Sequence, residues 1–326
     1  MNDKKIRVGV AGAGEFGRNH VRVWSALEGV ELAGILDTNA ERARSIAAEF
    51  SAKIFPSLEA MAAAGLDAAS VAVPTKDHAS IGCRLLDAGI DVLVEKPMAA
   101  SMEDADRLIV SANRAGRILQ VGHVERFNPA VAAAQAIISR PMFFEVHRLG
   151  VFTPRSLDID VVYDVMIHDL DILLSLLGSP VTDVRAVGIP VVTDKVDIAH
   201  ARIEFQSGAV ANVTASRVSI ERVRKMRFFQ EHEYISLDFA RQDALRIRVQ
   251  TGSPQGVGFE KIPTQPEEPL QAELRAFADC VRRRTPPVVD GAAGRRALAL
   301  ADRVMASILE HAGRVQLEAF TPQASR

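Results

Sequence analysis

A glutamate and a lysine follow an apolar run in the stretch VEKPMA, residues 94 to 99. The run before them, IDVLV, has the composition of a strand buried on both faces, and Pro97 prevents that strand from continuing. Because lysine is rarely buried without a partner, Lys96 is a candidate for chemistry. Its amino group could exchange a proton with a substrate hydroxyl or bind a developing alkoxide. The alternative is a lysine whose stem lies along the strand end while its charge reaches solvent.

An aspartate and a histidine lie at the start of a second apolar segment, DVMIHDLDILLSLLG, residues 164 to 178. Their spacing of four places Asp164 and His168 on one face of a helix. A histidine can act as a general base near neutral pH, and an aspartate can orient it, so either His168 or Lys96 could accept the proton. A metal site built from Asp164, His168 and Asp171 is the rival. It has no evident fourth ligand and would bring a cation beside Lys96, so we predict no metal.

A glycine-rich loop follows the first predicted strand in GVAGAGEFGRNH, residues 9 to 20. The G-x-G-x-x-G spacing after a strand and before a helix is the dinucleotide-binding fingerprint, and an aspartate twenty residues further on completes it. Free N–H groups at the helix start would bind the pyrophosphate, while the aspartate would accept hydrogen bonds from a ribose and repel a 2′-phosphate. NAD is therefore predicted over NADP. The loop and its acid contribute Gly12, Gly14, Glu15, Phe16, Gly17 and Asp37.

Further candidates follow the ends of other predicted strands, because a doubly wound sheet binds its ligand across the carboxyl ends of the strands. One group follows the fourth strand and another follows the last strand of the first domain. Asn128 has an alternative role as a helix cap before Pro129. The predicted cofactor contacts are Pro74, Thr75, His78, Glu95, Lys96 and Arg126, and the predicted substrate contacts include His123, Arg126 and Asn128.

Two arginines, Arg148 and Arg155, flank the loop that leads into the segment with Asp164 and His168. Guanidinium groups bind phosphates through paired hydrogen bonds, so both are candidates for contacts to a substrate diphosphate. Solvated surface charge is an equally good interpretation.

Two different patterns position these residues along the chain. Residues 1–122 alternate strands with helices, which predicts an α/β domain with a parallel doubly wound sheet and places Lys96 at the carboxyl end of its fifth strand. From residue 123 to 326 the pattern changes to an α+β domain with an open, mostly antiparallel sheet. Strands are predicted at 6–12, 30–37, 52–55, 68–74, 91–97, 117–123, 143–149, 181–189, 198–205, 209–218, 225–239 and 244–250, and helices of the second domain at 127–138, 164–178, 271–284 and 294–313.

The composition narrows the possible partners. The 326 residues carry a formal net charge of -2, with 48% hydrophobic and 25% charged residues, which is ordinary for a globular protein. A chain so close to neutral gives no electrostatic reason to expect nucleic acid or an anionic membrane as partner. No apolar run has the length of a bilayer span, and the polar start does not have the pattern of a signal peptide. We therefore expect a cytoplasmic protein with a small-molecule substrate.

Several of these motifs together resemble the Gfo/Idh/MocA family of sugar and cyclitol dehydrogenases. The motifs are the glycine loop with its acid, VAVPTKDH, EKP and DVMIHD, and the resemblance covers nearly the whole chain. It implies an NAD-binding Rossmann domain followed by an open-sheet domain, with Lys96, Asp164 and His168 as the catalytic group. It also implies a homodimer or homotetramer formed through the exposed face of the second sheet.

Within the family, VGHVERFNPAV and HRLG followed by DVVYDVMIHDLD resemble the branch that oxidises the 3-hydroxyl of UDP-N-acetylglucosamine. The product of that reaction would be a 3-keto sugar nucleotide, a precursor of the 3-amino sugar of lipid A. Another sugar, myo-inositol or a UDP-uronic acid on the same site is one alternative. A regulatory protein that binds NAD without turnover is another, although such a protein has no need of a base.

Overall fold

The computed structural model of the protein describes residues 5–153, 158–249 and 256–316. Arg155, one of the two predicted diphosphate contacts, lies outside these residues. The chain divides into two compact units, the first formed by Met1–Phe127 with Glu267–Arg295 and the second by Asn128–Pro266 with Arg296–Arg326. Among the described residues, no helix combines the length and the apolar composition needed to span a bilayer.

The first unit contains a parallel sheet of five strands among the described residues, in the order β2-β1-β3-β4-β5. All residues of the central strand β3 are buried, including Ser70, as expected for a strand that is covered on both faces. This sheet confirms the predicted doubly wound domain. The strands are β1 (Ile6–Ala11), β2 (Val30–Leu36), β3 (Ala68–Val71), β4 (Asp91–Glu95) and β5 (Leu119–Gly122).

Six of the described helices belong to this unit, and side-chain caps fix several of their starts. Ser101 accepts a hydrogen bond from the Asp104 N–H at the start of α5, and Asn39 accepts one from the Arg42 N–H at the start of α2. The buried core of the unit includes Trp24 and Phe277. The helices are α1 (Glu15–Ala26), α2 (Ala40–Phe50), α3 (Leu58–Ala62), α4 (His78–Asp87), α5 (Met102–Ala115) and α8 (Pro269–Arg283).

The segment 52–55 differs from its predicted strand. Only an isolated bridge between Ile54 and Ile35 forms there, with Phe55 donating to the Ile35 carbonyl oxygen. Pro56 follows immediately and cannot donate to a ladder, which explains why pairing stops. As a result, Lys96 follows the fourth strand of this unit in chain order, not the fifth.

The second unit contains a sheet of eight strands among the described residues, in the order β13-β12-β11-β10-β6-β9-β8-β7. Strands β6 and β9 are parallel and the other neighbours are antiparallel, which confirms the predicted sheet type. Helices α6 (Pro129–Ile137), α7 (Ile167–Leu177) and α9 (Gly291–Arg314) accompany it, although the first residues of α9 belong to the first unit. The strands are β6 (Pro141–Leu149), β7 (Val181–Ile189), β8 (Ile198–Phe205), β9 (Val210–Ser216), β10 (Val223–Gln230), β11 (Glu233–Asp238), β12 (Asp243–Val249) and β13 (Val257–Ile262).

Two strands of this sheet differ from the prediction. The segment 225–239, predicted as one strand, is the hairpin of β10 and β11, with His232 in the left-handed region at φ 58° in its turn. The turn is formed by the polar run QEHE, residues 230–233, which contains no glycine, proline or asparagine, so the residues that usually mark a hairpin turn are absent. The edge strand β13 was not predicted, since half of its residues are polar or glycine.

The boundary between the two units also differs from the predicted division at residue 123. Helix α8 returns to the first unit, where the rings of Phe277 and Trp24 lie 6.4 Å apart between centroids. Leu274 and Phe277 are fully buried in the same core as Trp24. The apolar stripe of α8 therefore covers α1, a long-range pairing that the local sequence pattern does not encode.

A buried aspartate stabilises the loop between β7 and β8. One oxygen of Asp197 accepts hydrogen bonds from the N–H groups of Val191, Val192 and Thr193 at 2.7–2.8 Å, and the other accepts the Thr193 hydroxyl at 2.8 Å. Burial alone would raise the pKa of Asp197, but these donors outweigh it and hold the pKa below its usual value.

We expect Asp197→Ala to lower the free energy of unfolding by about 3 kcal/mol at neutral pH, because several donors lose a charged acceptor. A carboxyl whose pKa is lowered by folding stabilises the protein above its unfolded pKa of about 3.9 and loses that contribution as the pH falls through the folded value. The difference between wild type and variant should therefore shrink below about pH 4. Urea unfolding across the pH range measures it, and a pH-independent difference would contradict the charge-based explanation.

Candidate active site

The glycine loop has the geometry that the fingerprint predicts. Gly12 has a φ of 88°, and a Cβ there would lie 2.5 Å from the Ala72 carbonyl oxygen. A Cβ on Gly17 would lie 1.8 Å from the Gly12 carbonyl oxygen, so both positions require glycine for the local fold. A Cβ on Gly14, in contrast, would meet no atom within 4 Å. The open space in front of the Gly14 backbone, at the start of α1, fits the approach of a cofactor pyrophosphate.

The acid of the fingerprint lies at the carboxyl end of β2 and contacts the same loop. The Asp37 carboxylate accepts hydrogen bonds from the N–H groups of Ala13 and Asn39, both at 2.7 Å. The Arg42 guanidinium donates to both carboxylate oxygens, at 3.0 and 2.8 Å. Burial would raise the pKa of Asp37, but the donors from Arg42, Ala13 and Asn39 hold it below its usual value. Asp37 is thus an anion at neutral pH, as an acceptor for ribose hydroxyls must be.

The Asp37–Arg42 pair leads to a prediction about the choice between NAD and NADP. We expect Asp37→Ser to weaken NAD binding by about 10- to 100-fold, because an acceptor for the ribose hydroxyls is lost. NADP binding should strengthen in the same variant, since Arg42 is released to meet a 2′-phosphate. Titration of protein fluorescence with each cofactor measures both effects. Adding Arg42→Ala should reverse the NADP gain, and an unchanged NAD preference in Asp37→Ser would contradict the assignment.

Lys96 directly follows β4, and its side chain lies beside the glycine loop. Its Nζ is 6.0 Å from the centroid of the Phe16 ring, at the start of α1. Phe16 and Glu15 are both exposed at that helix start. The structure therefore brings together Lys96, the glycine loop and the end of β2 with Asp37, all at the carboxyl edge of the parallel sheet.

Glu95 lies on the opposite face of β4 from Lys96, in a nearly buried position. Its Oε1 is 2.9 Å from His20 Nε2, and its Oε2 is 3.3 Å from the Lys96 backbone nitrogen. A Cβ on Gly122 would lie 2.8 Å from Oε1, so the carboxyl group occupies the space that this glycine leaves. Burial would raise the pKa of Glu95, but His20 and the positive charge of Lys96 hold it below its usual value. This placement supports an internal role for Glu95 more than the predicted cofactor contact.

Sequence reasoning missed His20 and Gly122. A usable signal for His20 was present in GRNH, since a histidine three residues after Gly17 lies on the face of α1 that turns toward the sheet. Nothing local marks Gly122, because its function is to make room for a side chain from the neighbouring strand.

The residues after β3 contact the segment with Lys96 through one histidine. His78 is buried, with Nε2 2.9 Å from the Val73 carbonyl oxygen and Nδ1 3.0 Å from the Pro97 carbonyl oxygen. Burial lowers the pKa of His78 despite these acceptors. His78 thus joins two loops at the sheet edge, whereas Pro74 is exposed and Thr75 half-buried at the start of a short 3-10 turn.

Three candidates follow β5. His123 is buried, and Arg126 is half-buried in the 3-10 turn Val124–Phe127. Asn128 is the first residue of the second unit, where its Oδ1 accepts from the Ala130 N–H and its Nδ2 donates to the Phe239 carbonyl oxygen. Within the second unit, Asn128 is therefore the N-cap of α6, which is the alternative role that the sequence suggested.

Asp164 and His168 lie in consecutive turns that differ in type. Asp164 belongs to a π-helical segment, Val162–Met166, and His168 to the first turn of α7. The Ile167 N–H donates to the Val162 carbonyl oxygen five residues back, which widens this turn relative to the predicted α-helix. Both side chains are half-buried. π-Helical turns of this kind occur frequently at functional sites.

Arg148 has a different environment from that of a diphosphate ligand. Its Nε and one terminal nitrogen each donate to a different Asp169 oxygen at 2.8 Å, and both side chains are buried. Its guanidinium also lies 5.0 Å from the centroid of the Phe239 ring. A buried guanidinium with a bidentate acid partner is a structural ion pair, so its placement argues against the predicted contact.

The described residues contain no group of three or more His, Cys, Asp or Glu side chains arranged to hold a metal ion. The rival arrangement of Asp164, His168 and Asp171 is therefore not formed in the part of the chain that the structure describes.

Comparison with known protein families gives two matches along the chain. A model described as an oxidoreductase family with an NAD-binding Rossmann fold matches residues 6–123. A model of the Gfo/Idh/MocA C-terminal domain matches residues 130–235.

Similar individual proteins cover nearly the whole chain. A UDP-N-acetylglucosamine 3-dehydrogenase from Acidithiobacillus ferrooxidans is 41% identical over 97% of this chain and 98% of its own length. A solved structure of UDP-N-acetylglucosamine 3-dehydrogenase GnnA from that organism superimposes with a TM-score of 0.89, at 40% identity, over 93% of this chain and 97% of the other. A scyllo-inositol 2-dehydrogenase (NAD(+)) from Bacillus subtilis is 28% identical over 88% and 89% of the two chains.

Proposed function

Because the chain belongs to the Gfo/Idh/MocA oxidoreductase family and its first domain is an NAD-binding Rossmann domain, we propose that it oxidises the 3-hydroxyl of UDP-N-acetylglucosamine to a ketone. The observation that carries this proposal is the near-full-length similarity to a UDP-N-acetylglucosamine 3-dehydrogenase, which extends through both domains. The 3-keto product is chemically suited to a transaminase that forms a 3-amino sugar nucleotide.

The residues of the first unit support the binding of NAD in this reaction. The loop from Gly12 to Gly17 presents the start of α1 to the pyrophosphate, and Asp37 accepts from the ribose hydroxyls. When bound, NAD+ supplies the hydride acceptor at the nicotinamide ring. The position of Lys96 beside this loop supports its participation at the same sheet edge.

We assign the proton chemistry to Lys96 and His168. His168 removes the proton of the substrate hydroxyl and Asp164 orients its imidazole, while the Lys96 ammonium stabilises the negative charge that develops on the oxygen. The reverse assignment, with Lys96 as proton acceptor, uses the same three residues. The sequence motifs and the π-helical turn at Asp164 support this group.

A second candidate function is the oxidation of a cyclitol, such as an inositol, by the same residues. The similarity to scyllo-inositol 2-dehydrogenase favours it, although at 28% identity it is the weaker of the two similarities.

The test is the absorbance of NADH after purified protein, NAD+ and UDP-N-acetylglucosamine are mixed, with an aminotransferase and amino donor present to consume the ketone. We expect NADH to form with this substrate and not with free N-acetylglucosamine or an inositol. NADH formation with an inositol alone would replace the proposal by the second candidate. Binding of NAD+ without reduction by any sugar would favour a regulatory protein.

We also propose that the protein forms a homodimer or homotetramer through the open face of its eight-stranded sheet and works in the cytoplasm. Along β8, Ala199, Ala201 and Ile203 are buried, whereas His200 and Arg202 are exposed on the opposite face. A sheet face of this extent is a natural surface for isologous pairing. Analytical ultracentrifugation distinguishes the oligomers, and a monomer at micromolar concentration would contradict the proposal.

A further inference from the structure

A chain of buried hydrogen bonds lies behind Lys96 in the first unit. The Trp24 indole N–H donates to the Ser70 hydroxyl at 2.8 Å, and the same hydroxyl oxygen is 3.1 Å from His20 Nδ1. His20 Nε2 is 2.9 Å from Glu95 Oε1. Trp24, Ser70 and His20 are at most 1% exposed, so water does not compete for these contacts. The chain therefore connects α1, β3 and β4 through polar groups inside an apolar core.

Only one arrangement of protons satisfies every member of this chain when His20 is neutral. An indole N–H can only donate and a carboxylate can only accept, so Nε2 of His20 must carry a proton toward Glu95. Nδ1 is then an acceptor, and the Ser70 hydroxyl donates to it while accepting from Trp24. Each hydrogen bond is therefore donated in the same direction, from Trp24 to Ser70, from Ser70 to His20 and from His20 to Glu95. This direction requires the His20 tautomer with the proton on Nε2.

The chain ends on the residue that precedes Lys96. That residue is Glu95. Its carboxylate contacts His20, occupies the space left by the missing side chain of Gly122, and has Oε2 near the Lys96 backbone N–H. The charged and titratable groups that act on Glu95 are His20 from α1, His78 from α4 and Lys96 itself. The position of this negative charge therefore affects both the backbone and the electrostatic environment of Lys96.

We propose that His20, supported by Ser70 and Trp24, is a positioning residue that holds the Glu95 carboxylate in place beneath Lys96. The inference deepens the proposed function and rests on Lys96 acting in that reaction. Without the His20 donor, the buried carboxylate must turn to another positive group, because leaving it without a donor is costly. The other positive or titratable groups that act on the Glu95 carboxylate are Lys96 and His78. Loss of the His20 donor should therefore alter the electrostatic environment of the Lys96 ammonium.

The first test compares three variants in the full-length protein. We expect His20→Leu to lower kcat by about 10- to 100-fold, with the dissociation constant of NAD+ changed by less than about threefold, because one hydrogen bond to a buried charge is lost. The basic limb of the pH profile of kcat/KM should move to higher pH, because Glu95 attracts the Lys96 ammonium and so retains the charged form on which the proposed reaction depends. His20→Gln keeps a donor and an acceptor and should restore most of kcat and the wild-type profile.

Leu108→Ala is the matched control for destabilisation. Leu108 is fully buried on α5 and packs against Gly82 of α4, away from the hydrogen-bonded chain. It should lower Tm at least as much as His20→Leu while leaving kcat and the pH profile unchanged. If His20→Leu behaves as this control does, or if His20→Gln fails to restore the profile, the positioning role is excluded.

A second test needs no substrate and separates this inference from the proposed function. In protein labelled with ¹⁵N-histidine, the His20 ring should show the Nε2–H tautomer, and the opposite tautomer would overturn the inference. After ¹³C-methylation of lysines, the Lys96 signal should shift in His20→Leu but not in His20→Gln or Leu108→Ala. An unshifted signal would reject the role of His20, whereas absence of NADH formation by wild type with UDP-N-acetylglucosamine would reject only the proposed function.

Discussion

We expect the Lys96→Met variant to reduce NAD+ with a kcat about 10³-fold below that of wild type, while its dissociation constant for NAD+ changes by less than about threefold. Methionine retains most of the length and volume of the lysine stem, but it has no charge and no proton that it could donate to the substrate oxygen. The loss therefore falls on the step in which the substrate oxygen becomes negative. Steady-state kinetics with UDP-N-acetylglucosamine and a separate NAD+ binding titration measure the two quantities.

Lys53→Met is the matched control for this variant. Lys53 is an exposed lysine of the same unit, and only its backbone oxygen has a structural role, as acceptor for the Ile35 N–H. It should show wild-type kcat and NAD+ binding. If Lys96→Met kept wild-type turnover, the lysine would be no more than a strand-end residue with its charge in solvent, and the proton chemistry would fall to His168 alone.

The features of the first domain that were predictable are those whose cause is local. Gly12 and Gly17 are required by backbone contacts within a few residues and with the adjacent β3, so their spacing can be recognised without a structure. Strands β3 and β4 consist mainly of apolar residues without polar alternation, which predicts burial on both faces, and the structure buries them there. The family, the fold class and NAD as cofactor were therefore accessible from the sequence and are confirmed.

The features that were not predictable depend on distant pairings. Helix α8 is a typical amphipathic helix, and nothing in its own residues indicates that its apolar side packs on Trp24 of α1. The chain from Trp24 to Glu95 similarly joins residues 46 to 75 positions apart in sequence. The position of a charged residue in the sequence is equally ambiguous. Arg148 has the same sequence neighbours whether it binds a phosphate or Asp169, and only the structure shows that both side chains of the Arg148–Asp169 pair are buried.

The turn at Asp164 illustrates a narrower limit. A spacing of four residues predicts two side chains on one face only if the helix is regular. The π-helical segment Val162–Met166 inserts a wider turn between Asp164 and the first turn of α7. The residue types could be identified as a candidate pair from the sequence, whereas the geometry of that pair could not.

The Gly14→Val variant should fold normally but fail to bind NAD. We expect the dissociation constant for NAD+ to rise by roughly 100-fold or more, because a branched side chain at Gly14 occupies the space through which the backbone meets the pyrophosphate. The free energy of unfolding should fall by no more than about 1 kcal/mol, the scale of an unfavourable helix cap. Gly14 has φ −63° and ψ −168°, which valine adopts without strain, and its Cβ direction is open.

Gly17→Ala provides the contrast that makes this result interpretable. Its new Cβ would lie 1.8 Å from the Gly12 carbonyl oxygen, so the loop must shift and the free energy of unfolding should fall by about 2 kcal/mol. Urea unfolding and NAD+ titration of both variants separate a binding defect from a folding defect. Gly17→Ala should show both defects and Gly14→Val only the first. If Gly14→Val bound NAD+ as wild type does, the pyrophosphate would have to lie elsewhere, and the open space at the start of α1 would no longer support the placement of the cofactor.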